Sequence, residues 1–169
     1  MASLIEELIT TLKEETVEYE ALLELSTEKT GIIVRDDIQN LNEMVAKEQS
    51  YLDRIANLEK KRTEVMQDIA IVLNKDVNTL TVKGISELLE GQKKEQQELS
   101  QTRDKLKKLL TGVEAVNEMN KGLIEEALEM INFNINYING LSQLPETANY
   151  TRDAYNQNQM GLSTFDAKN

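Results

Sequence analysis

Helix breakers are almost absent from the first 144 residues. The one proline of this 169-residue chain stands at position 145, and its seven glycines are scattered singly. Long stretches without Pro, carrying apolar side chains three and four residues apart, fold as amphipathic helices. From Ser3 to about Glu28 the stripe is Leu4, Ile5, Leu8, Leu12, Tyr19, Leu22 and Leu23. Ser3 is the expected N-cap, with Glu6 completing a capping box. Gly31 is the expected stop, and Asp36 or Asp37 the cap of the next helix.

The second helix is predicted from about Asp37 to Leu73. Its seam is Ile38, Leu41, Val45, Glu48, Leu52, Ile55, Glu59, Arg62, Met66, Ile69 and Leu73, alternating by three and four throughout. A repeat sustained this long is that of a coiled coil, and at 1.5 Å per residue the rod measures roughly 55 Å. Asn74 to Gly91 is less regular: Asn74-Lys-Asp and Asn78-Thr mark turns, and Thr79 or Thr81 starts a short helix over Ile85, Leu88 and Leu89. Residues 92–108 are polar nearly all round, with Leu99 and Leu106 as the apolar members, which predicts thin packing. The third long helix then carries a dense apolar pattern from Leu109 to Leu144. Pro145 closes the helical part, because the residue before a proline is pushed out of helical geometry.

The predicted fold is all-α: an elongated antiparallel helical bundle or coiled coil of three main helices plus a short one. Residues 1–144 form the bundle. Residues 145–169, rich in Asn and Gln with few large apolar groups, form an expected flexible tail.

Composition excludes much chemistry. The chain has no Cys and no His, which rules out cysteine nucleophiles, disulfides, His-based acid–base catalysis and metal sites built on Cys or His. Glycine-rich phosphate loops are absent. Glu14 and Glu18 lie one helical turn apart, but no oxygen-rich loop flanks them, and they read as a solvated acidic face together with Glu15. No enzyme activity, metal or cofactor is expected. The net charge of −11 disfavours nucleic acid and anionic lipid as partners. No apolar run is long enough to cross a membrane and the first residues do not read as a signal peptide, which points to the cytosol. Residues 1–30 carry a charge of −6, residues 75–110 carry +2 and residues 111–144 carry −4. The acidic first helix is expected to lie beside the basic 75–110 stretch.

One stretch carries more apolar surface than a single contact layer needs. From Leu123 to Leu144, 12 of 22 residues are apolar, against about three in seven for a helix that packs on one side. Leu128, Phe133 and Tyr137 fall off the main seam. Two readings fit: a core helix contacted from two sides, or a face that receives a partner's amphipathic helix. In the second reading Met160, Leu162 and Phe165 supply a further contact that orders on binding.

Three stretches are telling in sequence: LLELSTEKT at 22–30, IVRDDI at 33–38 and LNEMVAKEQSYL at 41–52. With the order of elements along the whole chain, they resemble the FlgN family of flagellar type III export chaperones. The resemblance implies a small acidic cytoplasmic chaperone that binds the carboxy-terminal amphipathic helices of hook-associated (hook–filament junction) proteins. Such a chaperone prevents their premature assembly and delivers them to the export apparatus. It implies cargo binding toward the carboxyl end, here Leu128, Ile131, Ile135, Ile138, Leu141, Leu144, Leu162 and Phe165. It also implies that a tyrosine docks on the export gate, with Tyr150 and Tyr155 both eligible. The rivals are a coiled-coil structural protein that self-associates as a homodimer through the second helix, and a type III chaperone with another client such as flagellin.

Overall fold

The structure, a computed structural model, describes residues 1–89 and 91–143. All regular structure among them is helical: α1 (Ala2–Val34), α2 (Ile38–Leu73), α3 (Val82–Leu88) and α4 (Lys93–Ser142), with a 3-10 turn at Val77–Thr79. The tail expected over 145–169 lies outside the described residues. The chain divides into two compact units, the first spanning Met1–Leu123 and the second starting at Ile124.

In the first unit, α2 runs antiparallel to α1. Arg62 meets Glu15, Tyr19 meets Glu59 and Lys29 meets Glu48, so partner numbers fall along α2 as they rise along α1. The first part of α4 runs parallel to α1 instead: Lys13 meets Glu98, Glu20 meets Lys105 and Ser26 meets Asn120. Up, down and up again is the order of the three long helices. The acidic α1 therefore draws most of its counter-charge from α2, through Lys61, Arg62 and Arg54. Lys105 is the one base of 75–110 with an ion pair to α1 among the described residues. The 75–110 stretch does lie beside α1, as expected, with Leu99 and Leu106 in one core with Leu8 and Leu12, but it supplies the smaller share of the counter-charge because α1 and α2 approach most closely.

The helix ends follow backbone chemistry more than side-chain caps. Met1, not Ser3, occupies the N-cap of α1, and no side chain caps it; Ile5 is fully buried, and holding it there extends the helix back past Ser3. Gly31 does not stop α1. Ile32 and Ile33 beyond it are buried, and their burial outweighs the roughly 1 kcal/mol cost of an interior glycine. The stop falls at Asp36, which takes a left-handed conformation (φ 55°). The Asp37 N–H reaches back to the Ile32 carbonyl and the Asp36 N–H to Ile33, a Schellman arrangement. Asn74 (φ 51°) ends α2 the same way, with Lys75 bonded to Ala70. Asp37 caps α2 by accepting from the Asn40 N–H, and Thr81 caps α3 by accepting from Gly84.

The main core lies where the start of α1, the end of α2, α3 and the start of α4 converge. Ile5, Leu8, Leu12, Ile69, Ile85 and Leu99 are its fully buried members. Leu99, Thr102 and Leu106 are all buried, so residues 92–108 are not thinly packed as expected. Three positions suffice because several elements meet there. A smaller core of Leu22, Ile55 and Val113 follows further along.

Along α2 the expected seam is half right. Ile55 and Ile69 are buried as predicted, but Ile38, Val45 and Leu52 are exposed and Met44 and Val65 are buried in their place. The seam still faces α1 through Glu48, Glu59 and Arg62, but the buried position shifts by one residue at Met44 and Val65. Glu15 corrects a further expectation: it is fully buried and not part of a solvated face.

Candidate functional site

Two kinds of side-chain grouping stand out: buried polar contacts inside the first unit, and an exposed apolar array on the last turns of α4. The polar contacts join helices. Arg62 Nη1 donates to Glu15 Oε2 at 3.0 Å, and the Tyr19 hydroxyl donates to Glu59 Oε1 at 3.0 Å. Burial pushes the Glu15 carboxyl above its ordinary value, the Arg62 guanidinium opposes this, and Glu59 adds to it. Tyr19 is pushed up to about 12, first by burial and then by the Glu59 hydrogen bond. Further along, Asn120 Nδ2 donates to the Ser26 carbonyl at 2.9 Å, and the Thr30 hydroxyl donates to Asn120 Oδ1 at 2.5 Å. Glu15, Ser26 and Asn120 are buried, their partners partly so, and the contacts tie α1 to α2 and to α4.

Glu14 and Glu18 face Lys61 and Arg54. Among the described residues no group of three or more His, Cys, Asp or Glu is placed to hold a metal ion, and no helix is long and apolar enough to cross a membrane.

The apolar array has a specific local origin. Residues 125–130 read EEALEM, strong helix formers, and carry the helix forward. Residues 131–139 read INFNINYIN, β-branched and aromatic side chains alternating with Asn. Those types are weak helix formers, because χ1 is restricted and Asn competes for backbone hydrogen bonds. They are helical nonetheless, through Ser142.

No side chain from Leu128 to Asn139 is buried. Of the sequence-predicted site residues, Leu128, Ile131, Ile135, Ile138 and Leu141 are all exposed, with Ile131 at 46% and Ile138 at 62%. At 3.6 residues per turn, the first four of these share one side of α4 with Ile124. Leu144, Leu162, Phe165, Tyr150 and Tyr155 lie outside the described residues. The candidate residues omitted Met130, Phe133 and Tyr137, which are among the most exposed of the array at 66%, 68% and 59%. Their signal was present in the off-seam apolar excess and in the alternation with Asn.

The family model described as FlgN protein matches residues 1–158. The chain belongs to the FlgN family. This is the flagellar export chaperone family, a family of chaperones and not of enzymes. A relative in Bacillus subtilis (strain 168), named "Uncharacterized protein YvyG", is 31% identical over 124 residues, covering 73% of this chain and 74% of that protein. No solved structure matches.

Proposed function

We propose that this FlgN chain is a cytoplasmic export chaperone that captures the carboxy-terminal amphipathic helices of hook-associated proteins on the end of α4. The carrying observation is the array from Ile124 to Leu141, whose large apolar side chains are exposed. An assembly-competent client helix has an apolar stripe of its own, and laying it along α4 hides both from water. A typical specific contact buries about 800 Å² per partner, which is about two dozen side chains. The array alone is smaller than that. Leu144, Leu162 and Phe165 supply the remainder in this reading, with residues 145–169 serving as a second contact. Tyr150 or Tyr155 then docks on the export gate.

Release follows from the same residues. A helix built from INFNINYIN has weak intrinsic support, so it opens more readily than the rest of α4 and lets the client go. No nucleotide is needed in this mechanism.

The test is co-precipitation of carboxy-terminal segments of hook-associated proteins and of flagellin with the purified chain. Replacing Ile135, Ile138 and Leu141 with Ser is expected to abolish capture of the hook-associated segment, with Glu14→Ala retaining it and circular dichroism unchanged. Capture of flagellin alone transfers the reading to that client.

One observation favours a second reading. Ile38, Val45 and Leu52 recur every seven residues along α2 and are exposed, as a self-associating coiled coil requires. Sedimentation showing a permanent dimer that ignores hook-associated segments selects it.

A further inference from the structure

The apolar array of α4 is too wide for one partner helix. At 3.6 residues per turn, Ile124, Leu128, Ile131, Ile135 and Ile138 share one face, while Met130, Phe133, Tyr137 and Leu141 share another, roughly 135° away around the axis. One packed helix covers a stripe of about 100°. Both faces are exposed to similar degrees, with Ile135 at 50% and Phe133 at 68%. Glu125, Glu129, Asn132 and Asn136 form the polar ridge on the opposite side, Asn134 lies between the two faces, and Glu126 stands one turn before Met130 at the start of the second face.

Charge restricts what sits there. Residues 124–143 hold three acids, Glu125, Glu126 and Glu129, and no base. A second copy of this chain brings the same acids to the same place and is repelled. A partner with Lys or Arg along its flanks is attracted and steered.

Resting on the proposed chaperone reading, we infer that the end of α4 is gripped by two helical segments of one client at once, each apolar on its inner side and basic at its edges. The Ile131–Ile135 face takes one and the Phe133–Tyr137 face the other. Two covered faces explain why the apolar residues exceed what a single seam uses, and Phe133 and Tyr137 are the large rigid side chains that anchor such contacts.

Site-directed photo-crosslinking tests this on the full chain with an intact hook-associated protein. With p-benzoylphenylalanine in place of Ile135 in one variant and of Phe133 in another, mass-spectrometric mapping is expected to find two different client helices. In parallel, the pairs Ile131→Ser with Ile135→Ser and Phe133→Ser with Tyr137→Ser are each expected to weaken binding by roughly tenfold or more. Circular dichroism reports whether each variant keeps its helix. Crosslinks from both positions to one client segment, or loss of binding from the first pair alone, overturn the two-helix inference and leave the chaperone reading standing. Crosslinks to a second copy of the chain overturn the partner assignment. Absence of any binding by the unsubstituted chain overturns the chaperone reading itself.

Discussion

Arg62 reaches across from α2 to Glu15 of α1 with 3.0 Å between Nη1 and Oε2, while the other carboxylate oxygen of Glu15 is buried without a hydrogen-bond partner. The pair is asymmetric. Glu15 is fully enclosed, whereas the Arg62 side chain keeps 32% exposure. Removing Arg62 therefore strands a buried charge, but removing Glu15 leaves an arginine that can still reach water. Arg62→Met is expected to lower stability by about 3–5 kcal/mol at neutral pH, and the double variant Glu15→Met with Arg62→Met to restore it or exceed it. Urea unfolding of the four proteins measures both.

The same pair sets a pH dependence. Burial raises the Glu15 carboxyl above its ordinary value, so the folded chain takes up this proton at a higher pH than the unfolded chain. Its contribution to stability is present below the unfolded value and is lost as pH rises through the folded one. Asp37 and Glu98 act oppositely. Hydrogen bonds from Asn40 and from Lys13 lower them, and their contributions are lost as pH falls through those lowered values. Glu15→Gln is expected to remove the part of the pH–stability curve that rises on mild acidification, leaving a steeper acid decline. Thermal unfolding across the acid range reads the difference.

Tyr19 is one of five tyrosines, and it is pushed up to about 12 by burial and by donating to Glu59. Its neutral form is the one the fold holds, so its contribution is full below about 10, the ordinary tyrosine value, and is lost as pH rises through about 12. Ultraviolet titration of tyrosinate is expected to show one late-ionising group, which Tyr19→Phe removes. A curve that Tyr19→Phe leaves unaltered refutes the assignment.

Asn120 is the last buried side chain of α4 among the described residues, and it ties α4 to α1 through the Ser26 carbonyl and the Thr30 hydroxyl. Asn120→Ala leaves these groups without that partner and is expected to cost about 1–3 kcal/mol. Asn120→Leu is expected to be no better, since it keeps the volume and not the hydrogen bonds. Hydrogen exchange should then show faster opening in the region of Ser26 to Val34 and Val113 to Leu123, with the core around Ile69 and Leu99 unchanged.

Gly122 meets nothing within 4 Å where a Cβ would stand, unlike Gly112, whose Cβ would lie 3.3 Å from Leu23. Gly122→Ala is expected to raise the helix stability of α4 by about 1 kcal/mol. Circular dichroism and the unfolding midpoint measure the gain, and a fall in either points to a packing role for that position.

Much of the fold was legible from spacing alone. The extent of α2 and the turn at Asn74 are set by neighbours a few residues away, so a linear reading reaches them, and it narrows the caps to Asp36 or Asp37 and Thr79 or Thr81, of which the structure uses Asp37 and Thr81. The stop of α1 was misplaced by a few residues because Gly31 costs little inside a helix whose next two residues are buried. The excess of apolar residues after Leu123 is legible for the same local reason, whereas the exposure of Phe133 and Tyr137 depends on which elements pack against α4, which spacing does not give.

Periodicity determined that this chain forms long helices and that the last turns of α4 carry more apolar surface than one stripe. It did so because helix formation and amphipathicity are properties of residues within a few turns of one another. Only the tertiary structure decided that Met44 and Val65 face inward while Val45 and Leu52 do not, that α4 follows α1 in parallel, and that Glu15 is enclosed. Each of these depends on how a helix is rotated against a neighbour dozens of residues away in the chain. Two adjacent apolar rows satisfy the local pattern equally well, and packing against the facing helix selects between them.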